Sequence, residues 1–479
     1  MRAIQVDVAV IGAGTAGLSA YRAAKAAGAS AALIEGGAHG TTCARVGCMP
    51  SKLLIAAADA AAAVAGANQF GVHVDGVVRI DGRQVMDRVR RERDRFVGMV
   101  LREVQAIPDA EHFRGHARFV SNHMLEIADR ARITARSVVI ATGSRAASLD
   151  VFKDLGDRLI ISDDVFNWLD LPKTVAVIGP GIIGLELGQA LHRLGVKVVV
   201  LGRGGRIGGI SDPQILNAAI TTFKQEFVLE PDAQIVDMQR DGNRVAVRRA
   251  MSNGKPETTH YDYVLAATGR TPNVTGIGLD NTTLKLDAQG VPLFDHATAQ
   301  TQSTDGASPV FIAGDVNNFI PLLHEAADEG RIAGANAARH ALGKPVTAGL
   351  RRAPLAVVFT DPQIGIVGGG FRALIPGTYA TGQVSFEDQG RSRIMLKNNG
   401  LLNVYGELDT GNFLGAEMLA PAAEHLAHLL AWALQNKMTV KHMLKMPFYH
   451  PVIEEGVRTA LRDLDHKLRA AHQDISTVG

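Results

Sequence analysis

Gly12-Ala13-Gly14-Thr15-Ala16-Gly17 follows directly on the β-rich run Gln5 to Ile11 (QVDVAVI) and opens a helical pattern over Ala16 to Ala27. A second apolar run, Ser30 to Ile34, then ends at Glu35. Strand, glycine turn, helix and strand in that order predict a βαβ unit with parallel strands and a right-handed crossover. In such a turn Gly12 makes the tight bend, Gly14 lets backbone approach a pyrophosphate, and Gly17 lets helix pack on strand. The pyrophosphate would lie at the helix N-terminus, where free N–H groups and the dipole favour negative charge. Glu35, 23 residues beyond Gly12, stands where a carboxylate accepts hydrogen bonds from ribose.

The same order returns: strand Thr174 to Ile178, turn Gly179-Pro180-Gly181-Ile182-Ile183-Gly184, helix Leu185 to Leu194, strand Lys197 to Leu201. Two such turns ask for two dinucleotides. Here the acidic position fails, because Leu201 is followed by Gly202, Arg203, Gly204, Gly205 and Arg206. A 2′-hydroxyl loses its usual acceptor, while Arg203 and Arg206 can neutralise a 2′-phosphate, which favours NADP(H) over NAD(H). The competing reading is a pair of solvated loop charges beside a pocket that takes either coenzyme.

An Ala-rich helix (Ser51 to Ala65) and a charged one (about Val85 to Val104) lie between the two copies. Beyond Ala348 no such turn recurs. Strands are expected at Pro354 to Val367 and Gln383 to Leu396, and helices at Ala422 to Leu434 and Glu454 to Asp463. The expected fold class is α/β: two Rossmann-like dinucleotide-binding domains and a C-terminal α+β domain. The expected boundaries are 1–150 and 273–347 for the first nucleotide domain, 151–272 for the second, and 348–479 for the last.

The 479 residues fit about three domains, and the net charge is only +2. So even a balance gives no bulk attraction to nucleic acid or anionic lipid. No run reaches about 18 uninterrupted apolar residues, so no membrane partner is expected. No metal site is expected either. The 51 glycines exceed the usual share of about 7% and imply many turns with positive φ. There are two cysteines in all, which excludes a secreted disulfide scaffold and suits a cytoplasmic protein.

Those cysteines sit together in Gly40-Thr41-Thr42-Cys43-Ala44-Arg45-Val46-Gly47-Cys48-Met49-Pro50-Ser51-Lys52. A bridge closing so short a loop constrains the unfolded chain by only about 2 kcal/mol, a poor structural reason to keep it. Ideal helix geometry places positions i and i+5 about 8–9 Å apart at Cα, beyond the roughly 7 Å that a disulfide spans. A distorted turn at Gly47 is therefore expected, with a helix starting near Pro50 whose N-terminus lowers a nearby thiol pKa. Zinc wants four ligands and no second pair exists. A redox dithiol is the reading these residues support.

The stretch GTTCARVGCMPSKLL resembles the active-site segment of the pyridine nucleotide-disulfide oxidoreductases, most like the dihydrolipoamide dehydrogenases among them. Ala141-Thr142-Gly143, the second glycine turn with Glu186, Ala267-Thr268-Gly269-Arg270-Thr271-Pro272-Asn273, Ala313-Gly314-Asp315 and His450-Pro451 with Glu455 follow in family order. The resemblance implies a homodimer joined by its last domain, each subunit holding FAD and NAD(H) or NADP(H). It implies that Gly12, Gly14, Gly17, Glu35, Thr42, Lys52, Thr142, Gly143, Gly314 and Asp315 hold FAD. Gly179, Gly181, Gly184, Glu186, Leu201, Arg203, Arg206 and Gly269 would hold the nicotinamide coenzyme. Lys52, paired with Glu186, would lie near the flavin, and Cys48 nearer to it than Cys43. His450, from the partner subunit and oriented by Glu455, would be the base, and the His450-Pro451 bond would be cis.

The implied activity moves two electrons between a small dithiol, or the lipoyl domain of a 2-oxoacid dehydrogenase complex, and NAD(P) through a Cys43–Cys48 disulfide. The alternatives are a glutathione-reductase-like NADPH disulfide reductase and a non-catalytic FAD-binding docking subunit. Pro50-Ser51-Lys52 matches the lipoamide enzymes rather than the Pro-Lys-Lys of glutathione reductases. Ala44-Arg45 departs from the usual Leu-Asn, and no proline follows Thr142-Gly143.

Overall fold

A computed structural model describes residues 2–478 apart from 129, 148 and 251–253. The chain folds as two compact units, one formed by residues 1–50, 88–147 and 269–351, the other by 51–87, 148–268 and 352–479.

The first unit is built on an eight-stranded sheet. Its spatial order is Gln300–Gln302, Ala307–Ile312, Ala131–Ile140, Arg2–Ile11, Ala31–Glu35 and His112–Arg114, with the Ala117–Ser121 and Met124–Ile127 pair added on Ala131–Ile140. Arg2–Ile11 runs parallel to both neighbours, as the strand–turn–helix–strand pattern requires. Val8, Ala9 and Val10 are fully buried. Helix cover on one face comes from Thr15–Ala26 and Leu323–Ala341, whose alanines share one core with Val10, Leu33 and Phe311. The two helices meet backbone to backbone. A Cβ added at Gly330 would lie 2.2 Å from the Ala16 carbonyl oxygen, and one at Gly334 would lie 2.1 Å from that of Ala20. Only glycine permits this approach.

The second unit holds a parallel five-stranded sheet ordered Val228–Glu230, Lys197–Leu201, Thr174–Ile178, Tyr263–Ala266 and Leu159–Ile161. Its C-terminal part is an antiparallel sheet of Leu355–Val358, Gln363–Val367, Phe413–Ala420, Leu401–Glu407 and Tyr379–Ser385. The helices Ala423–Gln435 and Glu455–Val478 supply much of its core. Mixed α/β order with an antiparallel α+β end is the expected fold class.

Several expectations need correction. The single strand expected over Pro354 to Val367 is two, Leu355–Val358 and Gln363–Val367, parted by a turn with a cis Asp361-Pro362 bond. Asp-Pro is a turn signal that the apolar run concealed. Over Gln383 to Leu396 the chain stays extended only to Ser385 and then forms the helix Gly390–Ile394. The Gln389 side chain caps that helix by accepting from Ser392 N at 2.7 Å. The last helix, expected over Glu454 to Asp463, is Glu455–Val478. One helical stretch, Thr42–Phe70, is long and apolar enough to cross a membrane by length and composition, but Arg45, Lys52 and Asp59 interrupt it, so the expectation of no unbroken apolar run stands. Its Lys52 and Asp59 are both ion-paired to the Ile182–Arg193 helix.

Candidate active site

The two glycine turns repeat one stereochemistry. Gly12 has φ +107° and Gly179 φ +109°, and a Cβ on either would stand 2.3 Å from a carbonyl oxygen, of Ala141 and Ala267 respectively. A Cβ on Gly17 would lie 1.8 Å from the Gly12 oxygen, and one on Gly184 would lie 1.8 Å from the Gly179 oxygen. The middle glycines differ: around a Cβ at Gly14 or Gly181 nothing lies within 4 Å. Each turn is thus packed hard at its ends and open at its centre, the side on which a pyrophosphate needs room. Glu35 accepts from Ala13 N at 2.7 Å and Gly37 N at 2.6 Å, one on each oxygen. Its remaining lone pairs stay free to accept from ribose. These residues fit the ADP half of FAD. Beside the second turn, just after the Tyr263–Ala266 strand, the buried Thr268 hydroxyl has no partner, an acceptor and donor left for a ligand.

A packing prediction follows. Gly17→Ala forces carbonyl and methyl apart and should cost about 1–3 kcal/mol, read as a lowered Tm. Gly14→Val should leave the Tm of the flavin-free protein unchanged while weakening FAD retention, measured by filtration and absorbance. Equal Tm losses in both variants would refute the assignment.

The remaining first-unit residues meet at one end of its sheet. Gly314 has φ +78° and donates its N–H to Glu329 at 2.8 Å. Asp315 accepts from Ser144 Oγ at 2.7 Å, with Arg270 Nε at 3.7 Å. Thr142 Oγ1 donates to the Asn273 carbonyl at 2.7 Å, and Asn273 returns Nδ2 to the Thr142 carbonyl at 3.0 Å. Gly143 and Gly269 have φ of +68° and +112° with nothing within 4 Å of an added Cβ.

Cys43 lies in the helix Thr42–Val46, and Cys48 begins the helix Cys48–Gly66. Gly47 breaks the two with φ −124° and ψ −119°, the distorted turn the spacing demanded. The second helix starts two residues ahead of the expected Pro50. Cys43 is half-buried and Cys48 exposed. The hydrogen bond to Cys48 pushes the Cys43 thiol well above its usual range, with burial and the charge of Cys48 adding to it. Backbone N–H groups of Cys48 and Met49 pull the other way but do not prevail, so the helix start does not lower this thiol.

Lys52 Nζ lies 2.8 Å from Glu186 Oε2, and Glu186 is buried with 4% side-chain exposure. Its other oxygen accepts from Phe359 N at 2.9 Å, and the Lys52 ammonium stands 4.6 Å over the Phe359 ring. Sequence reasoning missed Phe359, which carries no motif of its own. Leu201 is fully buried and offers no acceptor. Its register partner Glu230 is engaged by Arg249, while Arg203 and Arg206 are exposed.

His450 precedes a cis proline, and its Nδ1 lies 3.0 Å from Glu455 Oε2. Glu455 also accepts from Arg458 at 2.8 Å and from Val452 N at 3.3 Å. The His450 hydrogen bond is the main cause holding the Glu455 carboxyl below its usual value. The imidazole itself is 82% exposed, so a partner molecule can reach its far nitrogen.

The family described as pyridine nucleotide-disulphide oxidoreductase matches residues 6–330, and its dimerisation domain matches residues 355–461. The chain belongs to this family. Its members are enzymes that use FAD and NAD(P)H, and the dimerisation domain supports a homodimer. Among similar proteins, a dihydrolipoyl dehydrogenase of Chlamydia trachomatis is 31% identical over 464 residues, 94% of each chain. Dihydrolipoyl dehydrogenase 3 of Pseudomonas aeruginosa is 29% identical, over 96% of this chain and 97% of its own. Solved structures share the fold. LpdA from Mycobacterium tuberculosis has a TM-score of 0.80 at 24% identity, covering 95% of this chain and 99% of its own. The HOCl-induced flavoprotein disulfide reductase RclA of Escherichia coli, as its Cu(II) complex, has 0.78 at 21%, covering 97% and 99%.

Proposed function

We propose that this oxidoreductase oxidises dihydrolipoamide-like dithiols with NAD(P)+. The observation that carries the reading is the Cys43/Cys48 pair, held on two abutting helices that Gly47 separates. In the oxidised enzyme the pair would form a disulfide. His450 of the partner subunit takes the proton of one substrate thiol, its charge stabilised by Glu455 on Nδ1. The thiolate attacks Cys43 Sγ; the new S–S bond forms as the Cys43–Cys48 bond breaks, and Cys48 leaves as thiolate. The second substrate thiol gives up its proton and attacks the substrate sulfur of the mixed disulfide. That step closes the cyclic disulfide product and releases Cys43 as a thiol. Two electrons then reside in the cysteine pair. FAD, when bound, supplies the two-electron relay between that dithiol and the nicotinamide. Lys52, with its charge held by Glu186, would orient toward the flavin, while the first glycine turn, Glu35, Thr42, Thr142, Gly143, Gly314 and Asp315 hold it. Gly179, Gly181, Gly184 and Gly269 would cradle the second coenzyme. Run backwards, the same steps reduce a disulfide.

A rate matrix of NADH and NADPH against lipoamide, glutathione disulfide and oxygen tests this. Lipoamide should be the fastest acceptor; a faster rate with glutathione disulfide would replace the reading with that of a glutathione-reductase-like enzyme. The lack of a carboxylate at Leu201 and the exposure of Arg203 and Arg206 favour NADPH as the reduced coenzyme. Leu201→Glu should move the kcat/KM ratio toward NADH by about 10- to 100-fold, the worth of one charge-assisted hydrogen bond. An unchanged ratio would place 2′-recognition elsewhere.

A further inference from the structure

The Ile182–Arg193 helix carries three polar side chains on one stripe, Glu186, Gln189 and Arg193, at i, i+3 and i+7. Only Glu186 has a role in the reaction proposed above. Arg193 nonetheless holds three carboxylates. Its Nε is 2.6 Å from Glu226, and one terminal nitrogen is 3.2 Å from Asp59 and 3.3 Å from Asp361. Lys397 Nζ, 3.5 Å from Asp361, is the other cation facing the cluster.

The spacing of these pairs is informative. Lys52 and Asp59 are seven residues apart on the Cys48–Gly66 helix, and Glu186 and Arg193 are seven apart on theirs. Seven residues are nearly two turns, or about 10 Å along the axis. The helices therefore meet on two rungs, Lys52–Glu186 and Asp59–Arg193, with the charges reversed between them. Sliding one helix by two turns in one direction would set Lys52 against Arg193. Sliding it in the other would set Asp59 against Glu186. Like charges penalise both slips, so the double rung specifies one axial offset. The stripe also grips the turn after Leu355–Val358. Glu186 accepts from Phe359 N at 2.9 Å and Gln189 from Asp361 N at 2.8 Å, while Gln189 Nε2 donates to the Asp361 carbonyl at 2.9 Å.

We propose that Arg193 and Asp59 are positioning residues for Lys52, the far rung fixing the height of the cysteine-bearing helix on its neighbour. This rests on the reading that Lys52 acts beside the flavin. Arg193 sits among several carboxylates, and its removal could unfold the unit. Asp59 is the gentler handle, because its side chain is 56% exposed and Arg193 keeps two partners without it.

The test compares Asp59→Asn, Asp59→Glu and Lys52→Met in the flavin-loaded dimer. It records kcat, KM for the coenzyme, Tm and the long-wavelength flavin absorbance of the NAD(P)H-reduced protein. Asp59→Asn should lower kcat about three- to tenfold and alter that absorbance, with KM unchanged and Tm within about 2 °C. Asp59→Glu should restore both readouts. If Lys52→Met changes kcat and spectrum while Asp59→Asn changes neither, the far rung has no positioning role and the proposal alone fails. If Lys52→Met is silent too, the reading of Lys52 falls and the proposal with it. A kcat loss that only tracks Tm and is not rescued by Asp59→Glu would mark the rung as ordinary stabilisation and overturn the proposal.

Discussion

Serine in place of Cys43 should reduce lipoamide turnover by about 10^4-fold or more, because the substrate thiolate then has no disulfide to attack. Other functions of the protein should survive. The first glycine turn and the mutual hydrogen bonds of Thr142 and Asn273 do not involve this side chain, so FAD should remain bound. Electron flow from NAD(P)H through the flavin to an artificial one-electron acceptor, two equivalents per NAD(P)H, needs no dithiol and should stay within about tenfold of the parent. Cys48→Ser should give the same pair of results. It should also remove the long-wavelength absorbance expected when the parent is reduced anaerobically. The ratio of the two activities is the quantity to measure, since it cancels differences in flavin content. A Cys43→Ser protein that still turned over lipoamide at more than a few per cent of the parent rate would end the dithiol mechanism.

His450→Ala should lower dihydrolipoamide oxidation by about 10^2- to 10^4-fold, the range expected when a general base is lost. The defect should shrink as pH rises and the substrate thiols ionise unaided. Glu455 gives the same site a second pH signature. Its carboxyl is held below the usual value, chiefly by the hydrogen bond to His450. The interaction is therefore fully present above the ordinary carboxylate range, near pH 5 and upward. It is lost as pH falls through the depressed folded value. Glu455→Gln keeps the shape but removes the charge that stabilises imidazolium, so the acidic limb of the kcat/KM profile should move. Rates at pH 5.5 to 9 for parent and both variants check this, and a His450→Ala profile overlying that of the parent would remove this residue from the chemistry. Mixing inactive His450→Ala with inactive Cys43→Ser subunits adds a sharper arm. If base and disulfide come from different subunits, mixed dimers should regain activity.

Much of this site was legible before any coordinates. The glycine turns were readable because steric demands on three backbone positions leave few residue choices, and the structure returns those demands as 1.8 and 2.3 Å approaches. The break at Gly47 was readable because helix geometry alone forbids a bridge between positions five apart. Lys52 and Glu186 were joined only through the family resemblance; no local pattern links residues so distant in sequence. Gln189, Arg193 and Asp361 were invisible for that same reason. A glutamine and an arginine on an amphipathic helix look solvated until the turn and helices that cover them are in place. The strand expected over Gln383 to Leu396 failed differently. Its apolar content suits either state, and the choice was made by Gln389, which caps the helix and donates to the Val452 carbonyl at 2.7 Å. Around Cys43 the helix start favours thiolate, but the hydrogen bond to Cys48 and burial outweigh that influence.

The backbone contact at Gly330 and Gly334 has a consequence for how the polypeptide is made. The Thr15–Ala26 helix leaves the ribosome early with Ala16, Ala20 and Ala24 ready for burial. The helix that seals them, Leu323–Ala341, emerges roughly 300 residues later, a wait of about 15–60 s at bacterial-to-eukaryotic elongation rates of about 5–20 residues per second. Throughout that interval the alanine seam of the nascent amino-terminal half lacks the helix that covers it in the folded protein. Synonymous codons that slow the intervening stretch should thus reduce the yield of native protein without altering a single side chain.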